Sequence, residues 1–573
     1  MLRALRLVLF VCALAVAAPT LAGGQNFVVS YPAERSEGPL QGRLILVFAS
    51  DGTKAPREQV IWDQDAIPFW GMDVEGWKPG EQRAFDQSAY GFPLKSFDDL
   101  PPGKYFVQAV LNRYETFTMG DGRKLNLAPD RGEGQVWHKK PGNLYSKPQQ
   151  IEVGGKGDTV ALLLDQEVPP VEPFEKKQTD YVKYLRIRSE RLSQFWGRDI
   201  YLGAWIMLPW GYAEHPDARY PLVIAHGHFP GEPDAFRETP PDPDLKPEYS
   251  KRFSLEGYNR TMQEYLWQAF QDWKSPGFPR VLLIEIQHPT PFYDDSYAVN
   301  SANNGPYGDA IEYELIPAIE KQYRAIGAGW ARFVYGGSTG GWEAMAVQMF
   351  YPDHYNGAWV ACPDPIDFNH YETVNIYKDK NAYYMNEYKR TPRPAYRNWL
   401  GHVYATIQEN NQWEYALGTH VRSGDQWDAW ESVFSPIGAD GYPRRIWDRL
   451  TGVIDRETAE YWHEHYDLFH ILQRDWAMLQ PKLRGKLRIY VGDMDNYYLN
   501  NAVYGVEKFL KSVQPPADAV VEYGDRDEHC WNGDHTRANA YSRLRYPQMV
   551  LPWTVERMLK TAPAGADVTS WRY

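Results

Sequence analysis

The chain has 573 residues, more than one hydrophobic core organises, so at least two domains are expected. Its composition, 43% hydrophobic and 24% charged, is that of a soluble globular protein. A formal charge of -13 argues against a nucleic-acid surface, which needs clustered Lys and Arg to replace counterions.

The first 22 residues read as an export leader. Arg3 and Arg6 give a positive start, residues 7–18 an apolar run too short to span a bilayer, and Thr20-Leu21-Ala22 a small-residue cleavage point before Gly23. The competing reading is a retained anchor. The expected location is secreted or periplasmic, where the two cysteines left after cleavage, Cys362 and Cys530, can pair.

Residues 26–165 read as an all-β, sandwich-like domain, with strands at 40–49, 104–111 and 159–164 between turns rich in Gly, Pro and Asp. Residues 166–180, with the proline-rich stretch from Val168 to Pro173, read as a linker. From 181 to 565 strands alternate with helices. The expected strands are 184–193, 201–208, 221–225, 281–286, 332–335, 357–361, 487–491 and 519–523. Helices are expected at 310–323, kinked at Pro317, at 339–350 and at 501–513. Such alternation means a mostly parallel sheet with flanking helices, whose ligand sites lie at the carboxyl ends of strands. Residues 366–480 form an aromatic-rich helical insertion, a lid or an extra layer. Most of its tryptophans are expected in a core of their own.

Gly336-Gly337-Ser338-Thr339-Gly340 matches G-x-S-x-G. Chance yields about 0.2 such matches in a chain this long, so context decides. An apolar strand precedes Ser338 and a helix-prone run follows, which is the setting of a nucleophile elbow. A serine hydroxyl needs a base, and the loop after the last strand offers His529, with His535 as the rival. The imidazole needs a carboxylate, and the loop after strand 487–491 offers Asp495, with Asp493 as the rival. Backbone N–H groups of Thr339 and His228 are the expected oxyanion donors, with Phe229 as the alternative to His228. The imidazoles of His226 and His228 are expected only to shape their loop. Cys362 ends a strand near the site and Cys530 follows His529, so a disulfide between them is an open expectation, against two buried thiols. His463 and His465 face apart on a helix and read as surface residues rather than metal ligands.

The order Ser338, Asp495, His529 is that of α/β-hydrolases. The motifs around Glu314 to Glu320, Gly336 to Gly341, Tyr351-Pro352 and residues 357–365, with His226-Gly227, resemble the esterase family of the esterase D-like branch. The resemblance covers roughly residues 180–560. It implies an α/β-hydrolase fold, ester hydrolysis through an acyl-enzyme by Ser338, Asp495 and His529, and no metal or organic cofactor. Members act on small-molecule and polysaccharide-linked esters, and some relatives are acyltransferases. A prolyl-oligopeptidase-like peptidase and a glycan- or partner-binding protein with secondary catalysis stand as alternatives. A homo-oligomer stays open.

Overall fold

A computed structural model describes residues 26–62, 65–86, 88–154, 158–229, 233 and 235–573. The expected leader lies outside them. None of the described helices is long and apolar enough to cross a membrane.

The described residues between 26 and 167 build two larger sheets and a two-stranded hairpin, Glu115–Thr118 with Lys124–Leu127. In the smaller of the two sheets, Asn26–Ser30 lies between Thr159–Leu163 and Arg83–Ala84. In the larger, Leu40–Ala49 pairs antiparallel with Phe69–Trp77 on one side and Gly103–Arg113 on the other. The run LQGRLILVFA does not alternate because both of its faces are covered. Leu44, Leu46 and Phe48 join Phe27, Trp70 and Trp77 between the sheets. Ile45 and Val47 join Trp413, Ala416 and Leu417 of the insertion. A strand buried on both sides reads as continuous apolar sequence.

The second half is built on one eight-stranded sheet. Its strands are β1 (Val182–Ser189), β2 (Ile200–Met207), β3 (Leu222–His226), β4 (Leu282–Gln287), β5 (Arg332–Gly337), β6 (Ala358–Ala361), β7 (Leu487–Gly492) and β8 (Val520–Gly524). They lie in the order β1-β2-β4-β3-β5-β6-β7-β8. β2 is antiparallel to both β1 and β4, and β4 through β8 run parallel. Val223, Ile224, Phe333, Val334 and Val360 are fully buried at its centre.

Helix α1 (Thr339–Phe350) follows β5 and is buried along eleven of its twelve residues. The insertion carries α2 (Ile407–Leu417), started by a capping box between Thr406 and Glu409, and α3 (Gln426–Phe434), capped by Asp425. It also holds a small hairpin, Pro394–Arg397 with Val403–Thr406. Helix α4 (Asn500–Ser512) connects β7 to β8.

One local expectation is corrected. The strand expected at 184–193 stops at Ser189, whose hydroxyl accepts the Leu192 N–H and starts the helix Glu190–Trp196. The helix expected at 310–323 runs from Tyr307 to Gln322, with a π-helical turn at Ile311–Leu315 in its middle. Pro317 lies just after that π-helical turn, inside the continuous helix. Within the stretch read as a linker, Phe174 lies against Tyr184 and Trp205 of the sheet.

Candidate active site

β5 ends in Gly336-Gly337, and the chain reverses into α1 at Ser338, with φ 60° and ψ −125°. A serine in this region is strained and is held only where its surroundings over-determine it. Here the Ser338 N–H donates to the Ala361 carbonyl at 3.1 Å and faces Cys362 Sγ at 3.2 Å. The Ser338 carbonyl accepts from the N–H groups of Gly341 and Trp342 at 2.9 and 3.1 Å. The motif glycines have a steric reason. A Cβ on Gly340 would lie 2.0 Å from the His226 carbonyl oxygen, and one on Gly336 would lie 2.4 Å from the Gly340 carbonyl carbon.

Ser338 Oγ lies 2.9 Å from His529 Nε2, and His529 Nδ1 lies 2.8 Å from Asp495 Oδ2. The other Asp495 oxygen accepts from the N–H groups of Tyr497 and Leu499 at 2.9 and 3.3 Å. The rivals go elsewhere. Asp493 accepts the Arg526 N–H at 2.7 Å, and His535 pairs with Glu522 at 3.0 Å on the surface. The structure therefore brings Ser338, His529 and Asp495 together from the ends of β5, β8 and β7. Burial opposes charge on His529, but the Cys530 sulfur and the Asp495 carboxylate outweigh it, so the ring lies above the usual histidine range.

Cys362 and Cys530 are unpaired in the structure, the alternative that the sequence left open beside a disulfide. Their sulfurs and the His529 ring lie within 4.8 Å of one another. Each sulfur has another partner: Cys362 faces the Ser338 N–H, and Cys530 is turned to His529. The sulfur of Cys362, then the charge on His529, hold the Cys530 thiol well below its ordinary range against burial.

Thr339 opens α1, so its N–H has no intrahelical partner. His228, on the loop after β3, reaches Thr339 Oγ1 with Nε2 at 3.2 Å. Its Nδ1 faces Asp295 Oδ2 at 2.8 Å and Asp294 Oδ1 at 3.3 Å. Burial works against a charge there, but these two carboxylates hold His228 well above the ordinary range. Its imidazole thus ties the loop to α1, beyond the backbone role expected from sequence. His226 is buried with neither ring nitrogen hydrogen-bonded; burial, then His288, push it down to about 3.

Asp364 was missed by the sequence analysis. It follows β6 in Pro363-Asp364-Pro365, and its Oδ1 lies 3.3 Å from Ser338 Oγ. Its Oδ2 accepts from Tyr297 Oη, Thr339 Oγ1 and Trp430 Nε1 at 2.7, 3.1 and 3.2 Å. A carboxylate at the carboxyl end of a parallel strand was the available signal. Two cavities meet at Ser338: Glu372 and Trp62 line one, about 210 Å³ in volume, and Tyr258, Arg543 and Tyr546 line the other, about 620 Å³. Nothing in the local sequence of Glu372 or Trp62 marks them. Trp413, Trp427 and Trp430 of the insertion line the smaller cavity too, whereas Trp447 and Trp462 are fully buried around Tyr371.

Among the described residues, His288, Asp295 and Glu343 bring possible metal-ligand atoms within 4.8 Å of one another. Both His288 nitrogens are engaged, by Ser296 Oγ at 2.8 Å and the Gly227 carbonyl at 3.2 Å, and Asp295 faces His228. His463 and His465 do not converge; His463 stacks on His470 instead, with Glu464 beside both.

No family model and no curated protein matches the chain. Among solved structures, a ferulic acid esterase is 12% identical, with a TM-score of 0.33, over 66% of this chain and 100% of its own. An S-formylglutathione hydrolase from Agrobacterium tumefaciens is 12% identical, with a TM-score of 0.31, over 66% and 98%. The fluorophosphonate-binding serine hydrolase F of Staphylococcus aureus is 13% identical, with a TM-score of 0.32, over 66% and 98%.

Proposed function

We propose that the protein is an exported serine hydrolase of the α/β-hydrolase type that cleaves carboxylic esters through an acyl-enzyme. The observation that carries this reading is the hydrogen-bonded relay from Ser338 through His529 to Asp495 at a strained strand-to-helix turn. In the first step Ser338 Oγ forms a bond to the acyl carbon while its proton passes to His529 Nε2. Asp495 holds Nδ1 and stabilises the imidazolium. The carbonyl oxygen becomes an oxyanion facing the N–H groups of Thr339 and His228; each such donor contributes about 3 kcal/mol at the transition state. The imidazolium then protonates the leaving alcohol as the acyl–oxygen bond breaks. Water, deprotonated by His529, releases the acid and restores Ser338.

Fluorophosphonate labelling of the folded protein tests this. Adduct formation at Ser338, lost in Ser338→Ala, is the expected result. A folded wild-type protein that does not label would refute it. The same reading takes residues 1–22 as a leader removed on export. A mature chain beginning at Gly23 is expected on N-terminal sequencing, and an intact Met1 in an exported sample would contradict it.

A further inference from the structure

We propose that the smaller cavity beside Ser338 takes an ester carrying a cationic group, an alkylammonium or quaternary ammonium, lodged between Glu372 and the surrounding indole rings. The inference rests on the ester-hydrolase reading above and names the substrate class of that site. It begins with Glu372, which lines the cavity together with Ser338 and His529. The residue is 4% exposed and sits at φ 53°, and its Oε2 has no hydrogen-bond partner among the described residues. A buried carboxylate oxygen without a partner is costly unless something from outside supplies an N–H donor or a positive charge.

The other acids of the cavity are already engaged. Asp364 accepts from Tyr297, Thr339 and Trp430. Glu414 accepts the N–H groups of Trp427 and Asp428, each at 2.9 Å. Asp425 caps α3 through the Gln426 N–H at 2.8 Å. Glu372 is left as the acid awaiting a partner. No lysine or arginine among the described residues lines the cavity, and its basic groups, His228 and His529, are bound up with Ser338, Thr339 and their own carboxylates. Burial, then the carboxylates of Asp364, Asp495 and Glu414, push the Glu372 carboxyl well above its ordinary range. The group therefore holds a proton in the free site; an entering cation favours its ionised form, releasing that proton, and an anionic substrate would oppose ionisation.

The walls suit the same occupant. Trp62, Trp413, Trp427, Trp430 and Tyr497 line the cavity, and ring faces attract a desolvated cation. At about 210 Å³ the space is smaller than a drug-sized site, so it admits a compact headgroup.

Fluorophosphonate labelling of Ser338 in the whole mature protein reads the site without knowledge of the natural ester. Choline and n-butylammonium serve as protectants, against the uncharged 3,3-dimethylbutan-1-ol and 1-butanol. The cations are expected to slow labelling at concentrations at least about tenfold lower than their neutral partners, and Glu372→Gln to bring that ratio to within about twofold. A variant that merely loosened the cavity would weaken both members of each pair and leave the ratio unchanged. If Glu372→Gln does not fold, Trp62→Leu at the rim carries the test, with a several-fold fall in the ratio expected. No protection by either cation, equal protection by cation and neutral partner, or a ratio unmoved by the variants overturns the proposal and leaves the hydrolase reading standing. A wild-type Ser338 that does not label defeats the underlying reading, and the proposal with it.

Discussion

The pairing of His529 with Cys530 makes a prediction about pH. The imidazole must be neutral to take the proton of Ser338, so activity falls as pH drops through its pKa. Burial lowers that pKa, while Cys530 and then Asp495 raise it, leaving it above the usual value of about 6.5. The Cys530 sulfur and the His529 ring lie within 4.8 Å. Opposite unit charges at that separation attract by about 3 kcal/mol at an effective dielectric of about 20, equivalent to about two pKa units. Cys530→Ala removes the thiolate and leaves the backbone carbonyl that Tyr546 binds. The acid limb of the Ser338 labelling rate is therefore expected above the ordinary histidine range in the wild type. In the variant it moves toward acid by one to about two units. The assay is the labelling rate across roughly pH 5 to 10, which needs no natural substrate. A wild-type limb near about 6.5 that the substitution does not move would refute the reasoning, because Cys530 would then be an uncharged thiol.

Asp495→Asn keeps an acceptor for the Tyr497 and Leu499 N–H groups but loses the charge behind His529, so hydrolysis is expected to fall roughly 10³- to 10⁴-fold with the melting temperature little changed. An unchanged rate would remove Asp495 from the relay. Gly340→Ala drives a Cβ to 2.0 Å from the His226 carbonyl, so the turn must move; loss of Ser338 labelling and about 1–3 kcal/mol of stability are expected. Retained labelling would show the turn to be more compliant than its backbone crossings imply. Arg43→Met removes a buried cation that donates to the carbonyls of Tyr415 and Ala416 and to Asp73; a loss of about 3 kcal/mol is expected from thermal unfolding, and no change would mean that the contact adds nothing.

The sharp turn at Ser338 was legible because its cause is local. Gly336 and Gly340 are demanded by backbone contacts within a few residues of Ser338 and with β3. His529 and Asp495 were narrowed by their positions after β8 and β7, and the choice over His535 and Asp493 rests on chain order. Asp364 was readable by the same logic, since it ends β6, but a single Asp between two prolines gives no spacing to search for. Ser189 was misread because the strand pattern of Arg186, Ile187 and Arg188 continues to the residue that caps the next helix. Nothing local distinguishes a strand end from a cap there.

The cavity wall was illegible for a different reason: it is assembled from parts that the sequence presents as separate. Trp62 lies between the strands Leu40–Ala49 and Phe69–Trp77, yet it packs on Tyr396 of the insertion hairpin and on Tyr497 beside Asp495. Trp413 of α2 meets Phe69 of the first region edge to face at 6.4 Å, and it also lines the cavity. The continuous apolar run of Leu40–Ala49 marks a strand, but nothing in it shows that α2 would cover its second face. With α2 there, the N-terminal sheet is the support on which one wall of the cavity rests, and Arg43 holds the end of α2 in place through the Ala416 carbonyl. A perturbation of that sheet should therefore reach the cavity before it reaches Ser338, whose own supports lie in β3, β5 and β6.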